Sequence, residues 1–600
     1  MSTRNNDRER EAQPALTVAL SKRRMTLLLT LLLILLTAIA ARTLYLQSVK
    51  NNTLAHYAQS QQQNTQLLPA VRGPIEDRNG QELAVGEEAI TFYVTPKLMK
   101  DPIETAATLA RILKLPRGQS SQLLSRLTND PTSGFAYVMR EVPKIQADKL
   151  IAAKTKMDTD LAARVAKLPS KPKKPPLHAL SALGYYPEQH RIYPLGSVGA
   201  QLMGAVNVDG KGIAGLESLY DRSLSGTSGK QVVVRDPAGT PLDVLSLRPE
   251  VDGRTVQLTI DSTIQTEVER VLAETMKKFN AKGATALVMN PRTGELLAMA
   301  SAPTIDANDF GNANSDWQRN RAITDTYEPG STFKIVTISG ALEDQVTTPT
   351  RSYFLPVNLP VADKMIHDAE RRPAVRMTTR EILVESSNVG TVKIGIELGK
   401  ARLAKWIKRF GFGAPTGIDF PGEVQGLVLA PDEWSGSTIG NVPIGQGVGV
   451  TAIQLASAYA AIANDGVLVK PHLLKSVGGE PVPKTPSRRV LSTQTSQIMR
   501  TMFGDVVSDE RGTGNLAQIP GYAVAGKTGT ANKAEHGVYV KGKYVSSFIG
   551  FVPARNPQLL TLVVVDEPDV PWGGTVAAPA FEQISEFALQ YLAIPPDGIM

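Results

Sequence analysis

The sequence predicts an α+β protein that is attached to a membrane, and three features of the chain support this. Strand-like alternation of apolar and polar residues begins the C-terminal region at 255–260. Helical spacing dominates the middle of that region, and apolar strand-like runs return at 546–552 and 559–565. A long apolar stretch also lies close to the N-terminus. Strands first, helices next and strands last are typical of one layered α+β domain, to which the apolar stretch adds an anchor.

The composition indicates a globular protein with several folded units. A chain of 600 residues is longer than one ordinary domain needs. Apolar residues make up 42% and charged residues 20%, a balance typical of globular domains. There is no cysteine, and no two of the six histidines stand at metal-ligand spacing, so neither a disulfide nor a metal site is expected. The net charge of +8 is small for this length and forms no basic stripe with interleaved aromatic residues, so binding to nucleic acid is not expected.

The apolar stretch indicates the cellular compartment. Residues 25–41 carry no charge, and the segment 25–46 is long enough for one helix that spans a membrane. Three consecutive basic residues at 22–24 precede it. Because basic flanks stay inside, residues 1–24 are predicted to be a cytoplasmic tail, and the rest of the chain is predicted to lie outside a cell membrane that it crosses once. A cleaved signal peptide and a buried core helix are the alternatives, and the length of the run and the lack of a cleavage site disfavour them.

Two segments follow the anchor. Residues 47–66 are rich in Gln and Asn and are interpreted as an extended stalk. Residues 67–245 are interpreted as a first exported domain, in which Asn79-Gly80 predicts a hairpin turn. Within this domain Leu168–Pro176 is rich in Pro and Lys, which excludes both helix and central strand and predicts a loop.

A second exported domain is predicted at 252–590. Ser262–Lys278 has apolar residues at helical spacing. Two apolar runs at 284–289 and 296–300 flank the turn sequence N-P-R-T-G, which predicts a β-hairpin.

A serine and a lysine stand three residues apart where turn residues give way to a helical pattern. Ser331 and Lys334 follow the turn residues 327–330, and positions i and i+3 share one face of a helix. A serine hydroxyl needs a neighbouring base to become nucleophilic, and a lysine can act as that base once burial or another cation lowers its pKa. S-x-x-K alone is a weak signal. The second match, Ser170 and Lys173, is rejected because it lies in the Pro-rich segment.

Ser386-Ser387-Asn388 is the only S-x-N tripeptide in the chain. It follows a predicted helix that begins with a capping box formed by Thr378 and Glu381. A hydroxyl and an amide at the end of a helix can reach into a cleft. Ordinary helix termination is the alternative, and it is favoured when the motif is taken alone.

Lys527-Thr528-Gly529-Thr530 contains the only K-T-G tripeptide. As an edge strand it would present alternate residues to one side, and its glycine would let a ligand backbone approach closely. Lysine and threonine side chains are suited to binding a carboxylate. A surface turn is the alternative.

Together, in this order and within one predicted domain, the three motifs make the chain resemble the penicillin-binding protein and serine β-lactamase superfamily. The signature has Asp in the middle of its second motif, where this chain has Ser387. Outside the motifs, 72–80 and 215–221 resemble the pedestal domain of class B penicillin-binding proteins. An anchor, a pedestal and then a transpeptidase domain is the class B order. The likeness is greatest to the cell-division type, although elongation and sporulation relatives share these motifs.

The resemblance implies a fold and an activity. The fold would be the penicillin-binding transpeptidase fold, an antiparallel sheet with helices and a helical subdomain, behind an elongated pedestal of the dimerisation type. The activity would be that of a peptidoglycan D,D-transpeptidase, which cross-links stem peptides through a serine acyl-enzyme during cell-wall synthesis at the septum and binds β-lactams. No cofactor is implied. The implied partners are stem peptides, β-lactams, a polytopic glycosyltransferase and division proteins.

The resemblance also implies a role for each motif residue. Ser331 would be the nucleophile and Lys334 its base, and Ser386 with Lys527 would relay a proton to the leaving amine.

The remaining motif residues would bind the substrate. Asn388 would hold the donor amide, and Thr528, Gly529 and Thr530 would line the position of the substrate carboxylate. The backbone N–H groups of Ser331 and Thr530 would form the oxyanion hole.

Three other functions are weighed against this one. In a D,D-carboxypeptidase or a β-lactamase water would resolve the acyl-enzyme, but a β-lactamase needs neither anchor nor pedestal. A β-lactam receptor would carry several spanning segments. A scaffold of a division complex without catalytic activity is disfavoured by the three intact motifs. In β-lactamases with a glutamate base, that residue lies in a loop after the second motif. None of the carboxylates in the corresponding stretch of this chain stands in a context that marks a hydrolytic base: Glu397, Asp419, Glu423, Asp432 and Glu433.

Overall fold

The computed structural model describes residues 15–48, 63–170, 172, 176–235, 241–535 and 538–598. Two compact units make up the chain: residues 1–68 with 228–250, and residues 69–227 with 251–600.

The elements are numbered in chain order. The helices are α1 (Ala15–Ser48), α2 (Pro102–Leu113), α3 (Arg117–Asn129), α4 (Lys144–Ala166), α5 (Ala200–Met203), α6 (Gly215–Leu219), α7 (Asp221–Leu224), α8 (Ser262–Lys278), α9 (Ser315–Gln318), α10 (Arg321–Thr324), α11 (Lys334–Glu343), α12 (Thr379–Val384), α13 (Asn388–Leu398), α14 (Lys400–Phe410), α15 (Thr438–Asn441), α16 (Ala452–Ala463), α17 (Thr493–Ser508), α18 (Gly573–Val576) and α19 (Ala578–Tyr591). Short 3₁₀ segments occur at Pro96–Leu98, Ala307–Asn312, Gly330–Phe333, Pro431–Glu433, Val442–Ile444 and Asn515–Ala517.

The strands are β1 (Gln63–Leu68), β2 (Ile75–Glu76), β3 (Glu82–Val94), β4 (Ala136–Pro143), β5 (Leu183–Ile192), β6 (Ala205–Val206), β7 (Gly212–Ala214), β8 (Gly229–Arg235), β9 (Pro241–Arg248), β10 (Val256–Leu258), β11 (Gly283–Met289), β12 (Leu296–Ala302), β13 (Ser352–Leu355), β14 (Leu359–Val361), β15 (Lys364–Ile366), β16 (Val375–Thr378), β17 (Val467–Val469), β18 (Leu474–Val477), β19 (Glu480–Pro481), β20 (Ser487–Arg489), β21 (Ala525–Glu535), β22 (Val538–Val552) and β23 (Leu559–Asp566).

The first unit contains the anchor helix and a small sheet. Within α1, Lys22–Ser48 is long and apolar enough to cross a membrane, and the predicted span 25–46 lies inside it. Strands β1, β8 and β9 form a three-stranded antiparallel sheet. Residues 49–62 of the predicted stalk lie outside the described residues, and residues 63–66 belong to β1.

The second unit begins with a seven-stranded sheet in the order β19-β18-β10-β2-β3-β4, with β5 paired to β3. The β2–β3 hairpin confirms the predicted turn, in which Gly80 has a φ of +86° and Asp77 accepts hydrogen bonds from the backbone N–H groups of Asn79 and Gln81. Strand β10 pairs in parallel with β2, so this sheet joins residues of the two predicted exported domains. Of the predicted loop at 168–176, the described residues form neither helix nor strand.

A five-stranded antiparallel sheet in the order β12-β11-β23-β22-β21 forms the centre of the C-terminal region. Along β23, Leu560 and Leu562 enter a core shared with α11, α16 and α17, whereas Val563 and Val565 enter a core shared with α8 and α19. Residues of one strand therefore alternate between two apolar layers, because successive side chains of a strand point to opposite faces. The α+β prediction is confirmed, as are the helix at Ser262–Lys278 and the β11–β12 hairpin.

Candidate active site

The three sequence motifs meet at the edge of the five-stranded sheet. The K-T-G motif lies on β21, which is the edge strand. Ser331, the candidate nucleophile, lies on the 3₁₀ turn Gly330–Phe333, which packs against β21 and is called the nucleophile turn below. The contact is close because of two glycines: a Cβ at Gly330 would lie 2.7 Å from the carbonyl oxygen of Thr530, and one at Gly529 would lie 2.9 Å from Cγ2 of Thr332. Gly529 therefore lets the nucleophile turn pack on the strand, a role additional to the predicted close approach of a ligand backbone.

The helix that was predicted to begin at Ser331 begins three residues later. The α-helix α11 begins at Lys334, and Ser331 lies in the preceding 3₁₀ turn. Because a 3₁₀ turn repeats every three residues, Ser331 and Lys334 still share one side. Ser331 is partly exposed, and its hydroxyl makes no hydrogen bond with any residue that the structure describes.

Lys334 is fully buried and its amine is held by the second motif. The Nζ atom donates to the backbone carbonyl of Ser386 at 2.5 Å and to Oδ1 of Asn388 at 2.9 Å, and it lies 3.2 Å from Oγ of Ser386. Burial, and then the positive charge of Lys527, hold the pKa of Lys334 well below its ordinary value. The neutral amine, which can accept a proton, is therefore favoured.

Ser386 joins the two lysines. It lies in the turn between α12 and α13 with a φ of +56°, a left-handed conformation that is uncommon for a serine and that clusters at functional sites. Its Oγ accepts from Nζ of Lys527 at 2.9 Å and lies 3.2 Å from Nζ of Lys334. Burial lowers the pKa of Lys527 to about 7. One hydroxyl thus connects two amines whose protonated forms are both disfavoured.

The threonines of the third motif face different partners. Thr528 Oγ1 accepts from Nζ of Lys527 at 3.2 Å and lies 2.8 Å from Oγ1 of Thr513. Thr530 Oγ1 accepts from the backbone N–H of Gly573 at 3.2 Å. The Thr528 hydroxyl therefore lies next to a buried amine, and both groups are donors suited to a carboxylate.

The middle residue of the second motif caps a helix. Ser387 Oγ accepts from the backbone N–H of Gly390 at 2.9 Å and from Arg372 Nη2 at 2.7 Å, and it donates to Asp368 at 3.1 Å. Asp368 also accepts from the backbone N–H of Val389 at 3.0 Å. Asp368 and Arg372 therefore hold the second motif from a segment outside it.

Sequence reasoning missed Asp368, Arg372 and Tyr459. The first two form an ion pair four residues apart in an irregular segment, and that spacing was their only signal. Tyr459 is buried in α16 and donates from its hydroxyl to the carbonyl of Thr332 at 2.8 Å, which holds the nucleophile turn.

The five carboxylates that follow the second motif have structural or surface roles. Asp419 accepts from the backbone N–H groups of residues 473 and 474, and Glu423 from those of 416 and 417. Glu397 is exposed and pairs with an arginine at 2.9 Å, and Asp432 and Glu433 are exposed. Glu397 thus lies on the exposed side of α13.

The chain is similar to known proteins along most of its length. Residues 284–586 match the model of the penicillin binding protein transpeptidase domain, and residues 67–258 match that of the penicillin-binding protein dimerisation domain. The chain is 32% identical over 580 residues to the probable peptidoglycan D,D-transpeptidase PbpC of Pseudomonas aeruginosa, with 96% of each chain covered. It is 33% identical over 590 residues to the stage V sporulation protein D of Bacillus subtilis. That match covers 96% of this chain and 86% of the sporulation protein.

A solved structure is similar throughout most of the chain. The crystal structure of penicillin binding protein 3 from Mycobacterium tuberculosis in complex with aztreonam superposes with a TM-score of 0.67 at 29% identity. The match covers 89% of this chain and 99% of that one.

Proposed function

The chain belongs to the class B penicillin-binding proteins, and from this membership we propose that it cross-links peptidoglycan stem peptides as a D,D-transpeptidase through an acyl-enzyme on Ser331. The observation that carries the proposal is the pair of buried lysines joined by the Ser386 hydroxyl next to the nucleophile turn. The comparisons confirm the predicted transpeptidase fold with its dimerisation domain, and they confirm the predicted membership in class B.

In the first step Ser331 Oγ attacks the carbonyl carbon of the penultimate D-alanine of a stem peptide. Its proton passes to the neutral amine of Lys334, which lies one turn away and whose protonated form is disfavoured by burial. The negative charge that develops on the carbonyl oxygen is bound by the backbone N–H groups of Ser331 and Thr530.

In the second step the peptide bond breaks and the terminal D-alanine leaves. Its amine takes a proton by way of Ser386 and Lys527, which are in hydrogen-bond contact at 2.9 Å. An amine of a neighbouring stem peptide then attacks the ester on Ser331. Its proton passes to the serine oxygen as the ester bond breaks, which forms the cross-link and frees the serine. The energy of the new bond comes from the peptide bond that was broken.

Substrate orientation follows from the polar groups around the turn. The terminal carboxylate of the donor is placed against Thr528 and Thr530 beside Lys527, because these are the hydroxyl and amine donors on β21. Asn388 holds the donor amide through its side chain, whose oxygen also fixes Lys334.

β-Lactams are proposed to acylate the same serine, since penicillin binding protein 3, the similar structure, is complexed with aztreonam.

We expect the penicillin adduct to stay on Ser331 far longer than one normal turnover. None of the five carboxylates between residues 397 and 433 is placed as a base for water: Asp419 and Glu423 accept from backbone N–H groups, and the other three are exposed. The measurement is the release rate of labelled penicillin from purified full-length protein. Rapid multiple turnovers would assign the chain to the hydrolases instead.

We propose that residues 1–24 are cytoplasmic, that 25–46 cross the membrane, and that the domains at 67–245 and 252–590 lie outside. Support comes from the basic residues at 22–24 and from the apolar helix.

A reporter enzyme that works only outside the cytoplasm is expected to be active when fused after residue 60. Exchanging Lys22, Arg23 and Arg24 for glutamines should reduce that activity, because the orientation signal is then weakened. A matched fusion after residue 20 should be inactive. Activity of that second fusion, with none from the first, would reverse the topology.

A polytopic glycosyltransferase that makes glycan strands is the proposed partner, within a division complex at the septum. The support is the resemblance to cell-division enzymes. A role in sporulation is the second candidate, since the stage V sporulation protein D is 33% identical.

Replacing residues 25–46 by an unrelated spanning helix is expected to preserve penicillin labelling and to weaken co-purification of that partner, because contacts within the membrane are lost. Co-purification of the two proteins, compared between the native and exchanged anchors, measures this. Unchanged recovery would place the contact in the exported domains.

A further inference from the structure

A cavity of about 350 Å³ lies at one end of the five-stranded sheet. Its walls come from the β11–β12 turn, from the residues just before β23, and from the β2–β3 turn of the other sheet. The buried side chains of Leu297 and Ile594 form an apolar part of the wall. Ligand sites of proteins occupy roughly 300–1,000 Å³, so the cavity has the size of a small polar molecule.

Two arginines give the cavity its charge. Arg78 is partly buried, and its guanidinium forms no hydrogen bond or ion pair with any described residue. Arg292 donates from Nε to the carbonyl of Pro557 at 3.1 Å and from Nη2 to the side chain of Asn556, and its Nη1 contacts no described acceptor. Neither arginine pairs with a carboxylate of the part of the chain that the structure describes. The cavity therefore carries two positive charges that no described protein group neutralises, which favours an anion.

Side-chain amides supply the other polar groups of the cavity. Asn290 accepts from the backbone N–H of Arg292 at 2.9 Å, and its Nδ2 has no described acceptor. The amide of Gln558 makes no hydrogen bond with described residues. Each amide group offers both a donor and an acceptor, so together they match the N–H and C=O of an amide in a ligand.

We propose that this cavity binds a small organic carboxylate that also carries an amide group. The guanidiniums would bind the carboxylate in their planar, forked geometry, and Asn290 and Gln558 would pair with the amide. Two sources have this chemistry: a peptide that ends in a free carboxylate, and an acetamido sugar acid. Both occur in the cell-wall polymer, and only that assignment of the source rests on the proposed function.

The cavity is separate from the candidate active site. Lys527 on β21 lies in one row with Ile549, Leu562 and Leu287 across the sheet. The cavity lies beyond the end of β11, three strands away, and at ~4.8 Å per strand this is about 14 Å across the sheet alone. A ligand in the cavity would leave the nucleophile accessible.

The test is titration calorimetry on full-length protein in detergent, first treated with penicillin to occupy Ser331. The probes are N-acetyl-D-alanine, N-acetylmuramic acid, N-acetyl-D-alaninamide and inorganic phosphate. We expect saturable binding of at least one of the two carboxylates, and Arg78→Gln and Arg292→Gln should each weaken it by roughly tenfold or more, because hydrogen bonds to a charged group are lost. The amide, which has no carboxylate, should not bind. Which carboxylate binds more tightly identifies the source.

The control is Arg555→Gln, an exposed arginine next to the cavity that does not line it, which should leave binding unchanged. Absence of saturable binding at millimolar concentrations would overturn the proposal, as would binding that both cavity variants leave intact. Equal binding of phosphate would show an unspecific anion site and contradict the selectivity. Penicillin labelling is recorded on each sample, so a failure of the proposed acyl-enzyme is seen separately from a failure of the cavity.

Discussion

Replacing Ser331 by alanine is expected to abolish covalent labelling by fluorescent penicillin and to stop cross-linking altogether. The hydroxyl forms the only bond to the acyl group in the proposed reaction, and no other residue can take its place without moving the turn. Gel fluorescence of membranes from cells that produce each variant measures the labelling, and mass spectrometry of the acylated wild type locates the adduct. An adduct on any other residue would refute the assignment of the nucleophile.

The loss of labelling is expected without a loss of fold. Ser331 Oγ has no hydrogen-bond partner among the described residues, so the free energy of unfolding should change by no more than about 0.5 kcal/mol. Thermal unfolding of the purified variant checks this. The matched control is Ser170→Ala, which removes the serine of the other S-x-x-K match from an exposed loop and should keep full labelling.

Much of the fold could be predicted because it is fixed by local pattern. The helix at Ser262–Lys278 begins after Asp261, whose side chain accepts from two backbone N–H groups, and its apolar spacing is complete in the sequence. The β11–β12 hairpin has two apolar runs on either side of a turn. In such elements the spacing of the apolar residues gives the type of structure, and capping or turn residues in the same segment mark where it begins and ends.

The pairing of β10 with β2 could not be predicted, because the partners are about 180 residues apart and each is short. Nor could the 3₁₀ form of the nucleophile turn, since it depends on packing against β21. The residue types of the site were predictable from the motifs, but their contacts were not. Lys334 bonds to Ser386 and Asn388 only because the chain folds α12 and α13 over it. Asp368 and Arg372 have no motif of their own, so tertiary structure alone reveals them.

Lys334 is the residue whose loss should cost the most after the serine itself. Lys334→Ala is expected to lower the rate constant of acylation by penicillin by about 10³-fold, within the range of roughly 10²–10⁴ for a positioned general base. Lys334→Arg should be equally slow, because a guanidinium stays protonated and cannot accept the proton of the serine. The control is Lys393→Ala on α13, whose amine contacts only the carbonyl of Phe354 at 2.8 Å.

The pH dependence of acylation distinguishes loss of a base from loss of packing. In the wild type the reactive form is the one with neutral lysines, so the rate should rise with pH and then level off. Burial lowers the pKa of Lys527 to about 7 and that of Lys334 well below its ordinary range. The part of the rise that Lys527 causes should therefore be nearly complete at about pH 8, and the part that Lys334 causes should occur well below the pKa of about 10.4 of a free lysine. In Lys334→Ala the rise due to that amine should disappear, and raising the pH should not restore the rate.

Stopped-flow acylation between pH 5 and 9 measures both profiles. A wild-type rate that still climbs steeply above pH 9 would show that the lysines are protonated in the resting site, and would remove Lys334 from the role of base.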